Sequence, residues 1–272
     1  MVFGRLMRWK PFYITHLANY PNQNSPTDFG REAEKQNYEP KSAILGQKVK
    51  YGPPKANGEF VARMEAVLDL YGLPYDPNRP VLTMDEQPVQ LFRETRTPIP
   101  ATKNHARRVD YEYERAGVAN IFMFTQPLGC WRRVSVRKKK TKVDWALEIR
   151  VLLEEDYPDV EKVILVNDNL STHSLGALYE TFEPSLARSL ARRLEIVPTP
   201  KHGSWLNVAE NELSALTVQC TKGRRFGTIE ELREEVTTWA LECNTQQKGG
   251  QWQFATTDAR TKLESLYPKF LY

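Results

Sequence analysis

The chain has 272 residues, of which 40% are hydrophobic and 26% charged, and carries a formal net charge of +4. That mix suits a folded protein with a sizeable core and excludes a low-complexity or wholly disordered chain. No apolar run approaches the roughly 20 residues that cross a bilayer, and Met1 to Leu17 is interrupted by Arg5, Arg8, Lys10 and Pro11, so neither a membrane span nor a secretory leader is expected. The default location is the cytoplasm. Three cysteines, Cys130, Cys220 and Cys243, are odd in number and widely spaced, which fits neither a disulfide framework nor a zinc knuckle.

Charge is unevenly placed. Residues 1–56 hold nine Lys/Arg against four Asp/Glu, net +5, and the remainder holds 29 against 30, net −1. This first segment lacks a sustained hydrophobic period and is rich in Pro, Asn and Gln, so it reads as an irregular N-terminal segment. From Phe60 to Leu70 the apolar residues Val61, Met64, Val67, Leu68 and Leu70 recur at helical spacing. Val81 to Asp85 (VLTMD) follows as a short strand. Arg93 to Gly117 is polar and aperiodic and reads as an excursion from a sheet.

Val118 to Gln126 and Trp131 to Lys138 read as two strands of a hairpin around Pro127-Leu128-Gly129. A helix over 142–156 ends before Pro158. Val163 to Val166 (VILV) is continuously apolar, as a strand buried on both faces would be. Two helical stretches lead to a strand at Leu194 to Val197. Trp205 to Cys220 is helical, with a stripe of Leu206, Ala209, Leu213, Leu216 and Cys220. A helix from Thr228 to Cys243 starts with a Thr228/Glu231 capping box and presents Ile229, Leu232, Val236, Trp239, Ala240 and Cys243 on one face. A last helix runs from about Thr257 to Tyr267. The order predicts an α/β mixed sheet flanked by helices, with a C-terminal helical tail.

Three acids stand out by position. Asp85 ends the VLTMD strand, and Asp168 follows VILVN at the carboxyl end of the most apolar strand, where ligands of open α/β sheets collect. Glu210 lies on the helix after the LEIV strand, beside Asn207 and Ser214. Taken singly, each has a plainer reading: a turn or cap residue for the aspartates, a solvated face for the glutamate. Glu212 rivals Glu210, and at about 100° per residue the two project nearly oppositely. Three carboxylates suit phosphodiester cleavage, because two Mg²⁺ ions roughly 3.5–4 Å apart serve both ends of an in-line displacement.

The blocks LTMDEQPVQL, ILVNDNLSTHS and PKHGSWLNVAENELSAL occur in an order that resembles the three catalytic blocks of DDE transposases, specifically the bacterial insertion-sequence transposases of the mariner-like superfamily. Flanking text such as RVDYEYERAGVANIFMF and TTDARTKLESLYP agrees, and the resemblance covers roughly Val49 to Tyr267. It implies a ribonuclease-H-like catalytic domain over 57–272. Asp85, Asp168 and Glu210 then correspond to the three catalytic metal ligands for two Mg²⁺ ions, with Mn²⁺ as a substitute. It implies cleavage at transposon ends and strand transfer into target DNA, often at TA dinucleotides, by a homodimer formed on double-stranded DNA in the nucleoid. No membrane partner is implied.

Further residues follow from the same resemblance. Asn169, His173 and Asn207 are candidates to support the metal ligands, with a cap or turn role as the alternative. His202 and Trp205 are candidates to line the site or contact DNA, the alternative for Trp205 being the core. The run WRRVSVRKKKTK holds seven bases and no acid, so Arg132, Arg133, Arg137, Lys138, Lys139, Lys140 and Lys142 are candidate DNA-backbone contacts. The family's helix-turn-helix modules are not found in residues 1–48. The expectation is therefore a truncated copy or one half of a split product, with residues 1–56 a remnant or linker of a DNA-binding region. The rival function is a defective remnant that only binds DNA or a partner.

Overall fold

The computed structural model describes residues 57–106, 108, 110–247 and 252–269. The N-terminal segment 1–56, read above as irregular, lies outside the described residues.

Among the described residues the first helix, α1 (Gly58–Tyr71), begins where the Asn57 side chain accepts from the Glu59 N–H at 2.9 Å. Phe60, Val61, Met64, Val67 and Leu68 form its buried stripe. The sheet follows as β1 (Val81–Glu94), β2 (Tyr113–Gln126) and β3 (Trp131–Arg137), all antiparallel, then β4 (Val163–Asn167) and β5 (Leu194–Pro198), which are parallel to β1. The spatial order is β3-β2-β1-β4-β5. Between β3 and β4 lies α2 (Lys142–Val151), continued by a π turn over Leu152–Asp156. Between β4 and β5 lie α3 (Leu175–Thr181) and α4 (Pro184–Arg193). After β5 come a 3₁₀ turn (Ser204–Leu206), α5 (Val208–Leu216) with its own π turn, α6 (Ile229–Thr245) and α7 (Thr256–Lys262).

Strand alternation distributes the sheet between two cores. Phe122 and Phe124 face Leu82, Met84, Trp145, Ile149 and Leu165, under α2, α3 and α4. Ile121 and Met123 point the other way, onto Ala209, Leu213, Leu216, Leu232 and Val236 of α5 and α6. Each of the buried Leu, Ile, Val, Phe and Met side chains among these contributes on the order of 1.5–3 kcal/mol. A third cluster joins α1 to Val166, Leu206, Leu263 and Leu266. Among the described residues no helix is long and apolar enough to cross a membrane.

Several sequence-based expectations are corrected. β1 does not stop at Asp85. It runs to Glu94 because β2 supplies an antiparallel partner throughout, from Thr83↔Thr125 to Glu94↔Tyr113. The run Glu86-Gln87-Pro88 hides this, since it breaks the apolar alternation. β1 pairs with β4 only at Val81, Leu82 and Thr83, so Pro88 falls where one side of β1 is an edge, the place where a missing N–H is tolerated. Between Gln90 and Phe92 the register shifts, opposite Gly117, whose φ of 101° suits only glycine. The expected tail helix is split into α7 and a 3₁₀ turn over Glu264–Leu266. By contrast, α6 carries both halves of its Thr228/Glu231 capping box and buries all six expected residues.

Candidate active site

β1 and β4 run parallel, with Thr83 level with Val166. Two residues further along each strand's path stand Asp85 and Asp168, so register alone brings them to the same height, where β4 ends and β1 continues. Glu210 arrives from the other direction, on the first turn of α5. Asn207 sets that approach. Its Nδ2 donates to the Met84 carbonyl at 2.8 Å, and its Oδ1 accepts the Ala209 N–H at 3.1 Å. The same side chain therefore caps α5 and ties it to β1 one residue before Asp85. Further along, Gln87 Nε2 donates to Thr217 Oγ1 at 3.0 Å and fixes the far end of that helix.

The electrostatics of the three carboxyls are coupled. Burial pushes Asp85 up to about 7, the charges of Glu210, Asp168 and Glu86 add to the rise, and the Glu86 N–H, 2.7 Å from its Oδ1, opposes it. Burial also raises Glu210, as does the charge of Asp168, against a hydrogen bond from Ser204. Such a cluster of partly buried, mutually repelling carboxylates is an all-oxygen donor set that suits a hard divalent cation. Among the described residues no group of three or more His, Cys, Asp or Glu side chains forms a ready-made metal cage. Mg²⁺ keeps several of its waters and needs only a few protein carboxylates, so the donor chemistry fits an open site of this kind.

His173 lies beside the acids with its side chain buried. Its Nδ1 is 2.6 Å from Asp168 Oδ1, close in distance but not well aligned as a hydrogen bond, and its Nε2 is 3.0 Å from Glu86 Oε1. Burial alone would lower its pKa, but bonding to Asp168 and Glu86 and their charges raise it to about 9. The ring stacks on Trp145 at 5.9 Å between centroids, with planes 28° apart. Glu86 was missed by the sequence reading. Its one visible signal is an acid beside Asp85 that strand alternation turns to the opposite face of the sheet.

The other expected site residues separate. Asn169 is exposed next to Asp168, and His202 is exposed in a turn with φ 67°. Trp205 is partly buried and packs against the α1/α7 cluster, edge-on to Phe254 at 6.0 Å, as its core alternative expects. The basic run is also corrected. Arg132 is buried and paired with Glu212 at 2.9 Å, which removes it from any DNA surface. Arg133 and Arg137 both grip the buried Glu148, and Arg133 also lies over the Phe124 ring at 4.6 Å. Lys142 pairs with Glu180 at 2.8 Å. Lys138, Lys139 and Lys140 remain exposed, with Lys140 Nζ 3.6 Å from Glu86. Glu212 projects away from the site, opposite to Glu210.

Comparison with known proteins adds three findings. The family model described as DDE superfamily endonuclease matches residues 80–233, a span that contains all three acids. No curated protein sequence matches the chain. Among solved structures, the Mos1 strand transfer complex matches with TM-score 0.50 at 13% identity, covering 84% of this chain and 68% of the other. The Mos1 transposase catalytic domain with raltegravir and Mg matches with TM-score 0.49 at 14% identity, over 80% of this chain and all of that one. The Mos1 mariner paired end complex with Mn matches with TM-score 0.48 at 14% identity, over 89% of this chain, which spans 66% of the length of that one. At these identities the likeness concerns the fold, a ribonuclease-H-like mixed sheet flanked by helices. With more than half of its length inside the matched model, the chain belongs to the DDE superfamily endonuclease family.

Proposed function

We propose that this chain cuts DNA at the ends of a mobile element and joins the freed ends to target DNA, as a DDE transposase. The observation that carries this is the convergence of Asp85, Asp168 and Glu210 beside one another, inside the matched family segment, with the carboxyls of Asp85 and Glu210 both raised by burial and by the charge of Asp168. The fold shared with the Mos1 strand transfer complex agrees with it.

In this reading Asp85, Asp168 and Glu210 hold two Mg²⁺ ions, with Mn²⁺ as a substitute. When bound, such ions generate a nucleophile at neutral pH and stabilise the leaving oxygen. The chain's own residues hold and orient. Asn207 keeps α5 and hence Glu210 against β1, and the β4 register keeps Asp168 level with Asp85. The exposed Lys138, Lys139 and Lys140 offer phosphate contacts beside the site, without base readout. Residues 57–272 form the catalytic domain, and 1–56 belong to a DNA-binding region or its linker. The substrate is double-stranded DNA, transposon ends first and a TA-containing target second, engaged by a homodimer in the nucleoid.

The test uses the purified chain, Mn²⁺ or Mg²⁺, and labelled DNA carrying the element's terminal repeats. The expected result is metal-dependent strand cleavage that disappears in Asp168→Asn. Cleavage that persists unchanged in Asp168→Ala refutes the assignment.

A further inference from the structure

Asp168 sits at the start of an exposed loop. Beyond β4 the chain passes through Asn169 and Leu170 in solvent before α3 begins at Leu175. A carboxylate at such a place swings freely unless something holds it, and a metal site needs its ligands held to within about 0.5 Å. Only one side chain of this loop is buried. His173 has 1% of its side chain exposed, and its N–H closes the turn on the Leu170 carbonyl at 3.1 Å.

The imidazole has neighbours on one face and at both ring nitrogens. Trp145, fully buried, stacks against one face of the ring. Nε2 meets Glu86 Oε1 at 3.0 Å, and Nδ1 stands 2.6 Å from Asp168 Oδ1. Glu86 is itself held, with 3% of its side chain exposed and its second oxygen 3.6 Å from Lys140 Nζ. Because Glu86 directly follows Asp85 on β1, the path from β1 through Glu86 and His173 to Asp168 links the strand of one acid to the side chain of the next. Both ring nitrogens face carboxylates, so His173 is not placed to ligate a metal itself. One oxygen of Asp168 lies against the ring nitrogen, which leaves the other for a cation. Stability does not require such a device, since buried charged groups are often replaced by apolar ones at no loss.

We infer that His173, backed by Glu86, is the positioning residue of Asp168, holding that carboxylate in place for the divalent cation. This rests on the cutting function proposed above. Partners of this kind orient first ligands, and their loss costs about 10–100-fold in metal affinity. The two ring nitrogens have different tasks, and amide side chains separate them. In His173→Asn the amide nitrogen stands near the position of Nδ1 and can still meet Asp168. In His173→Gln it reaches the position of Nε2 and meets Glu86 instead.

The experiment titrates the full chain with Mn²⁺ alone, by calorimetry and by electron paramagnetic resonance of the free ion, alongside thermal melts. His173→Ala is expected to weaken Mn²⁺ binding by about 10–100-fold. His173→Asn should recover most of that affinity, and His173→Gln should not, with both melting as folded proteins. Wild-type affinity in folded His173→Ala and His173→Gln overturns the inference while leaving the cutting function standing. Absence of Mn²⁺ binding by the wild-type chain overturns both. Should His173→Ala fail to fold, the Asn and Gln variants decide by their relative affinities, and equal affinities overturn the inference.

Discussion

The pair Glu210 and Glu212 offers the sharpest contrast between site and scaffold. They are two residues apart on α5, yet Glu210 faces the carboxylate cluster and Glu212 is buried against Arg132. The Glu212–Arg132 contact is two-pronged, with Nε to Oε2 at 2.9 Å and Nη2 to Oε1 at 3.4 Å, and the side chains are 8% and 3% exposed. Glu212→Gln keeps the shape but leaves the Arg132 charge facing a neutral amide. Breaking a buried pair from one side costs about 3–5 kcal/mol, and the lower end applies because the amide oxygen still accepts one N–H. At about 2–4 °C per kcal/mol for a domain of this size, that is a fall in Tm of about 6–12 °C. Glu210→Gln removes a charge from among like charges and should not lower the melting temperature.

The assays are a thermal melt and Mn²⁺-dependent nicking of supercoiled plasmid below the melting range. Glu212→Gln should melt early and still nick DNA. Glu210→Gln should melt normally and be inactive. A wild-type melting temperature for Glu212→Gln would refute a stabilising role for the Glu212–Arg132 pair. An inactive Glu212→Gln beside an active Glu210→Gln reverses the assignment of the third acid.

Asp85→Asn and Asp168→Asn should each abolish metal-dependent strand cleavage and leave the circular dichroism spectrum unchanged, and normal cleavage by either removes that residue from the site. Burial pushes the Glu148 carboxyl up, but the charge of Arg133 and hydrogen bonds from Arg133 and Arg137 outweigh it, so its folded value lies below the ordinary one. A lowered folded value means stability present above the ordinary glutamate range and lost as pH falls through the folded value. Melts from pH 7 to pH 3 should show an acid limb that flattens in Glu148→Gln, and parallel limbs would contradict the role given to this network. Charge reversal of the exposed Lys138 and Lys139 should weaken DNA binding at all sequences and lower the slope of affinity against salt by roughly one per lost phosphate contact. An unchanged slope would place DNA elsewhere.

Much of this molecule is local and therefore readable along the chain. The stripe of α6, its capping box and the apolar run of β4 are set by spacings within one element, so residue order alone determined them. The same holds for Asp168, because a carboxylate just after an apolar strand sits at that strand's carboxyl end wherever the strand goes, whereas Asp85 lies inside the longer β1 and owes its place to the pairing with β4. The geometric split between Glu210 and Glu212 also follows from helix pitch alone.

What only the tertiary structure decided are pairings between distant parts of the chain. The length of β1 depends on hydrogen bonds from β2 across a long excursion, and nothing in Glu86-Gln87-Pro88 announces them. The fate of the basic run depends on where its arginines point. Strand alternation and the acids on facing helices turn Arg132 and Arg133 inward, 80 and 15 residues from their carboxylate partners, while the lysines stay in solvent. Glu86 and His173 are 87 residues apart and meet because β1 and the loop after β4 lie side by side. A side chain's charge is written in the sequence, but whether it is spent inside the fold or offered to a ligand is settled only when its neighbours arrive.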